Sequence, residues 1–205
     1  MEKERIVIAG IGTEIGKTVV SSIVCEALKA DYWKPIQAGE LDDSDSMKVA
    51  SLISNSVSEF HKEAYRLKTP MSPHEAARRD GVKIDLDTIQ VPETFNRIVI
   101  EMAGGLMVPL NDSDLIIDFI AKKKLQVILV SNYYLGSINH TLLSLEILKS
   151  RGIDTLGIIF NGRKVQSTYD IIMSHSSVPC LLEVDHIKRI NQEEIRSYAS
   201  KFKLK

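Results

Sequence analysis

A chain of 205 residues has room for one sizeable core and is short for two, and 44% hydrophobic with 26% charged residues is an ordinary globular balance, which excludes disorder. The formal net charge of -1 removes any electrostatic case for a nucleic-acid partner. No apolar run approaches the ~18–20 residues of a membrane span, and the charged Met1 to Arg5 leads into a strand pattern without a signal peptide; one domain over 1–205, cytoplasmic and without membrane partners, is expected.

The first element is a β-branched run, Arg5 to Ala9, followed by Gly10-Ile11-Gly12-Thr13-Glu14-Ile15-Gly16-Lys17-Thr18 and then the long apolar segment Val19 to Leu28. Strand, glycine loop ending in Lys-Thr, and helix are the sequence form of a phosphate-binding loop. Glycines let backbone N–H groups converge, and the helix start adds positive partial charge. Lys17 would reach the outer phosphates, and the Thr18 hydroxyl a magnesium ion. The usual spacing is Gly, four residues, Gly-Lys-Thr; here Ile11 stands at the first glycine position, so the loop is a variant.

Asp31 to Ile36 reads as a short strand halted by Pro35, and Gly39 to Asp45 as a polar, acidic loop. Ser46 to Ile53 carries helical spacing with Ser44 or Asp45 as N-cap. Thr69 to His74 is a rigid loop before a short helix through Glu75 to Arg79 that stops at Gly81. Asp85 to Phe95 reads as a further helix. Arg97 to Glu101, Leu125 to Ser131 and Thr155 to Asn161 are apolar strand patterns, with a helix over Ile138 to Leu148 ending near Gly152. Alternating helices and nearly continuous apolar strands predict an α/β fold with a mostly parallel sheet buried on both faces, its ligands at the strand ends.

The topology brings the Gly10 to Thr18 loop, Lys34, Glu101, Ser131-Asn132 and Asn161 to one edge. Glu101, before Gly104-Gly105, sits where nucleotide-hydrolysing folds direct an acid to magnesium. Lys34 is either a surface charge or a site residue. The acids of Glu40 to Asp45 are either a polar loop with a helix cap or include a second metal-directed carboxylate, and the spacing does not choose between Asp42, Asp43 and Asp45. Gly136 to Asn139 opens a helix whose N–H groups either take a side-chain cap or hold a substrate carboxylate. His74 and His140 have no evident partner and receive no role. Cys25 and Cys180 lack ligand spacing and read as buried small hydrophobes, and Lys201, Lys203 and Lys205 as a solvated tail.

Seven motifs, G-I-G-T-E-I-G-K-T, Y-W-K-P-I-Q-A-G, D-S-D, M-S-P-H-E-A-A, V-I-E-M-A-G-G-L-M-V-P-L, L-G-S-I-N-H-T-L-L-S and I-I-F-N, follow one another from Arg5 to Asn161, about three quarters of the chain. In content and order they resemble the dethiobiotin synthetases. The resemblance implies a three-layer P-loop NTPase-like fold and an ATP- and Mg²⁺-dependent ligase of biotin biosynthesis. Such an enzyme carboxylates 7,8-diaminononanoate with CO2 and closes a ureido ring. It also implies a homodimer with shared active sites. Thr18, Asp45 and Glu101 match the metal ligands, and Lys34, Lys17 and Thr13 the catalytic positions. Gly12, Thr13, Glu14, Ile15, Gly16, Lys17, Thr18 and Val19, with Gly104 and Asn161, match the nucleotide site. Thr13, Lys34 and Ala38, with Gly136, Ser137, Ile138 and Asn139 from the neighbouring subunit and Tyr169 beside the substrate carboxylate, match the substrate site. Ala38 stands where the family has Ser or Thr, Met102 replaces a glycine and is expected to crowd the metal loop, and the adenine wall after Leu181 to Asp185 is not recognisable.

A partitioning-ATPase-type switch shares this fold and a variant loop, but carries an extra lysine near the loop start that Gly10-Ile11-Gly12 lacks. A related ATP-dependent amidoligase or small-molecule kinase is the other competing reading.

Overall fold

In the computed structural model, which describes residues 4–204, the β-branched runs become strands whose alternate residues enter two separate cores. Met1, Glu2, Lys3 and Lys205, part of the charged N-terminus and of the lysine tail read above, lie outside the described residues. The elements in order are β1 (Arg5–Gly10), α1 (Lys17–Leu28), β2 (Asp31–Trp33), β3 (Ile36–Ala38), α2 (Asp45–Leu52), β4 (Phe60–His61), β5 (Tyr65–Leu67) and α3 (Pro73–Arg79). They continue as β6 (Ile98–Gly105), α4 (Ile116–Lys122), β7 (Gln126–Asn132), α5 (Ser137–Ser150), β8 (Thr155–Asn161), α6 (Gln166–His175), β9 (Cys180–Val184) and α7 (Gln192–Ala199).

Seven strands form one sheet in the order β4-β2-β6-β1-β7-β8-β9, and every pairing in it is parallel. Val7, Ile98, Ile100 and Val127 bury one face with Phe119, Ile117 and Ile120 of α4. Ile6, Ile8, Val99, Ile128 and Ile159 bury the other with Val20, Ile23 and Val24 of α1 and Ile195 of α7. The result is the three-layer α/β arrangement expected, with crossovers that leave the carboxyl ends of all seven strands on one edge. No helix among the described residues is long and apolar enough to cross a membrane.

Five expectations change. Pro35 divides an extended run instead of ending it: the chain leaves the main sheet after Trp33, and β3 pairs with β5 in a separate two-stranded sheet. Lys34 is therefore fixed at the break between two sheets. Glu101 lies inside β6, not at its end. Between the pairs Ile8–Glu101 and Gly10–Gly105, β6 advances four residues against two on β1, and this irregularity carries the strand past the acid.

The helix expected over Asp85 to Phe95 is absent. Asp85 Oδ1 accepts from Asp87 N–H at 2.9 Å, an Asx turn that competes with helical bonding, and Pro92 supplies no N–H. Met102 does not crowd the metal loop: strand alternation sends its side chain away from Glu101 and into the α4-side core. Cys25 is buried as expected, whereas Cys180 is half-buried; both are free thiols.

Candidate active site

Four elements converge at the head of the sheet. The β1–α1 loop ends at Gly16, the N-cap of α1, which has φ +89° and no side-chain cap, so the first-turn N–H groups of the helix point to the edge without a side-chain acceptor at the cap. Lys17 folds back to donate to Gly12 O at 2.8 Å. Burial, with Lys34 acting in the same direction, lowers its pKa to about 8 against the pull of Glu101 and Asp45.

Beside it stands a compact polar cluster. Thr18 Oγ1 donates to Glu101 Oε1 at 3.0 Å and to Asp45 Oδ1 at 3.2 Å. The Lys34 ammonium, 5% exposed, binds Asp45 Oδ2 in a short ion pair and lies 3.4 Å from Oε1 of Glu101, itself 1% exposed. Burial works to lower the Lys34 pKa, but Glu101 and Asp45 outweigh it and hold the amine charged. Burial likewise works to raise Asp45, yet Lys34 and Thr18 bring it below the usual carboxylate range. Tyr32 OH donates to Glu101 Oε2 at 3.0 Å, and burial together with Glu101 pushes that phenol well above its ordinary value.

A hydroxyl and two carboxylates form an all-oxygen donor set that suits Mg²⁺, which takes few protein ligands and completes its shell with water and phosphate. The Lys34 side-chain ammonium that the two carboxylates hold marks the place as one that takes positive charge. No cluster of three or more His, Cys, Asp or Glu among the described residues makes an all-protein metal cage. The cluster opens into a cleft of about 660 Å³, within the range of small-molecule sites. Its far wall is Pro70 to Pro73 with Val108. Gly39, at φ +74°, allows that wall to close in, since a Cβ there would lie 2.5 Å from Pro70 Cβ.

A family model described as an AAA domain matches residues 4–194. The ATP-dependent dethiobiotin synthetase BioD of Christiangramia forsetii is 56% identical over 196 residues, covering 96% of this chain and 94% of that protein. The protein of the same description from Cytophaga hutchinsonii is 49% identical over 195 residues, covering 95% and 94%. The chain belongs to the ATP-dependent dethiobiotin synthetases. This dethiobiotin synthetase is accordingly an enzyme, an ATP-binding ligase of biotin biosynthesis. Among solved structures, a ParA family ATPase from Chlorobium tepidum superposes with TM-score 0.59 at 14% identity, covering 97% of this chain and 90% of that one. The septum site-determining protein MinD of Pyrococcus horikoshii, complexed with Mg-ADP, also gives 0.59 at 12% identity, covering 98% and 96%. At these identities the likeness is one of P-loop fold.

Within the synthetase, Thr13, Glu14, Gly16, Lys17, Thr18, Lys34, Ala38, Asp45, Glu101 and Gly104 all line the one cleft. Ser44, not Asp45, caps α2, accepting from Met47 N–H at 3.4 Å, which leaves the Asp45 carboxylate free for the cleft, while Asp42 and Asp43 are exposed. Gly12 lies in the loop as the acceptor of Lys17, Ile15 is buried under it, and Val19 packs against the α1-side core. Asn161 Nδ2 donates to Ile15 O at 2.8 Å, so Asn161 braces the loop from β8. Gly136, Ser137, Ile138, Asn139 and Tyr169 are outside this cleft. Ser137 is buried and accepts weakly from Tyr134 N–H at 3.4 Å; Ile138 and Asn139 are exposed; Tyr169 packs on Phe160 at 5.1 Å. Sequence reasoning missed Tyr32 and Gln37. Gln37 Oε1 accepts from Asp45 N–H at 3.3 Å and its Nε2 donates to Gly39 O at 3.0 Å, tying the Lys34 segment to the start of α2. Only the position of Gln37 beside the K-P-I-Q-A-G glycine hinted at this.

Proposed function

We propose that this synthetase catalyses the ATP- and Mg²⁺-dependent carboxylation and ring closure of 7,8-diaminononanoate with CO2, giving dethiobiotin, ADP and phosphate. One amine adds to CO2 with loss of a proton, forming a carbamate. The carbamate oxygen takes the γ-phosphoryl group of ATP, forming a carbamic-phosphoric anhydride and ADP. The second amine then attacks the carbonyl carbon and expels phosphate, closing the ureido ring.

The observation that carries the reading is the pairing of two buried cations, Lys17 and Lys34, with the Thr18–Asp45–Glu101 oxygen set in one cleft. Carbamate and γ-phosphate are both anions, and their approach requires positive charge that is already in place. Lys17 would release Gly12 O and take the outer phosphates. Lys34 would stand between phosphate and carbamate, with Thr13 and Glu14 facing the same space and Ala38 beside the substrate. Bound between Thr18, Asp45 and Glu101, Mg²⁺ would neutralise the phosphate oxygens. The α1 N–H groups and Gly104 would admit the phosphates closely, and Asn161 would meet the base.

The proposal extends to a homodimer with shared sites and one P-loop α/β domain over 1–205. Leu135, fully exposed, and Ile138 are apolar residues left in solvent at the Gly136–Asn139 helix start, and Met107 and Leu143 line one groove farther along α5, which supports delivery of that start and Tyr169 to the cleft of a second copy. Cytoplasmic residence rests on the family's biosynthetic role. The test is ADP formation with and without diaminononanoate plus bicarbonate, with product mass measured. ADP formed at the same rate without the diamine contradicts the proposal and favours a nucleotide switch.

A further inference from the structure

Tyr32 lies opposite Val99 in the β2–β6 pairing, and Glu101 is two residues beyond Val99, so both side chains stand on the same sheet face. The phenol runs along that face to Glu101 Oε2 at 3.0 Å. Its ring is fully buried, 5.8 Å from Phe60 between centroids, and cannot swing away. One carboxylate oxygen is thereby occupied from below. The other, Oε1, is the one that accepts from Thr18 Oγ1 and meets Lys34.

We propose that Tyr32 is a positioning residue that leaves Glu101 a single oxygen to offer a divalent cation, and so sets the preference of the site for magnesium over calcium. The inference rests on Glu101 facing the metal, as read above. Mg²⁺ demands near-octahedral geometry and is served by one carboxylate oxygen, whereas Ca²⁺ takes six to eight oxygens and readily accepts both. With the phenol hydroxyl removed, the carboxylate can turn and present two oxygens. Groups that orient a metal ligand from behind typically change metal affinity by about 10–100-fold when lost.

The experiment measures the thermal unfolding midpoint against free Mg²⁺ and, separately, free Ca²⁺ with a saturating non-hydrolysable ATP analogue, from which an apparent Kd for each metal follows. Tyr32→Phe keeps the ring and removes the hydroxyl, and is expected to shift the Ca²⁺-to-Mg²⁺ affinity ratio toward calcium by about tenfold or more. Tyr32→Met must shift it in the same direction. Phe60→Leu loosens the ring packing without touching the hydroxyl and should leave the ratio at the wild-type value. An unchanged ratio in whichever Tyr32 variant folds, or an equal shift in Phe60→Leu, overturns the proposal. Glu101→Gln tests the underlying reading separately: if it leaves both metal titrations unchanged, Glu101 does not face the metal, whatever the Tyr32 variants do.

Discussion

The brace between the phosphate loop and β8 allows a quantitative test. A Cβ on Gly16 would lie 2.1 Å from Asn161 Nδ2 and 3.0 Å from its Cγ, so Gly16→Ala must expel the Asn161 side chain and break its bond to Ile15 O. Gly16 also sits at φ +89°, where an L residue costs about 1–2 kcal/mol. The lost hydrogen bond adds about 1 kcal/mol, for a total of roughly 2–3 kcal/mol. Asn161→Ala alone should cost about 1 kcal/mol. With Asn161 already truncated, Gly16→Ala meets no clash and costs only the backbone strain. The two effects should therefore fall short of additivity by about 1 kcal/mol in a double-mutant cycle measured by urea unfolding. In thermal unfolding Gly16→Ala should lower the midpoint by about 4–12 °C. Additivity within about 0.5 kcal/mol would refute the account, because the loop would then not depend on Asn161 for its shape.

Lys34→Ala should lower kcat by about 10²–10³-fold in steady-state ADP release, and Lys17→Ala should do the same by loss of phosphate charge stabilisation. Because Lys34→Ala also leaves Asp45 and Glu101 unpaired, added Mg²⁺ should raise its unfolding midpoint more than that of the wild type. Asp31, at the opposite end of β2, is a different case: burial would raise its pKa, but Thr94, the Glu59 N–H, His61 and Asn96 bring it below its ordinary value. A carboxylate depressed on folding contributes stability above its unfolded pKa, and loses it as pH falls through the folded one. Asp31→Asn should therefore destabilise at pH 7 by about 1–3 kcal/mol, with the gap to wild type closing below about pH 4. Leu135→Glu places a charge on the exposed apolar surface beside α5. Sedimentation should show a monomer, with kcat falling in parallel; a dimer with full turnover would remove that surface from the interface.

The strand core of the fold was legible because β-branched runs buried on both sides have no helical period, and β1, β6, β7 and β8 all fall where those runs are. What composition does not encode is where a strand passes its functional residue. Glu101 looked terminal because glycines follow it, yet the β6 irregularity extends the strand to Gly105. The helices α4, α6 and α7 were not legible: α4 has Leu115 at its N-cap, with no Ser, Thr, Asp or Asn there, while α6 buries only Ile172 and α7 only Ile195 and Ala199, too little of an apolar stripe to stand out. Of the site, Lys17, Thr18, Lys34, Asp45 and Glu101 were legible because each follows or begins an element at the strand-end edge or falls in a family motif. Tyr32 was not, since a tyrosine in a strand looks like core until the register places its hydroxyl under Glu101.

The central claim is that one carbon from CO2 is joined to both amines at the expense of one ATP. Carbon-13-labelled bicarbonate supplied with diaminononanoate, ATP and Mg²⁺, followed by carbon-13 NMR alongside ADP measurement, tests it directly. The account predicts one labelled ureido carbon for each ADP formed. ADP accumulating with no label in a ureido ring would contradict it.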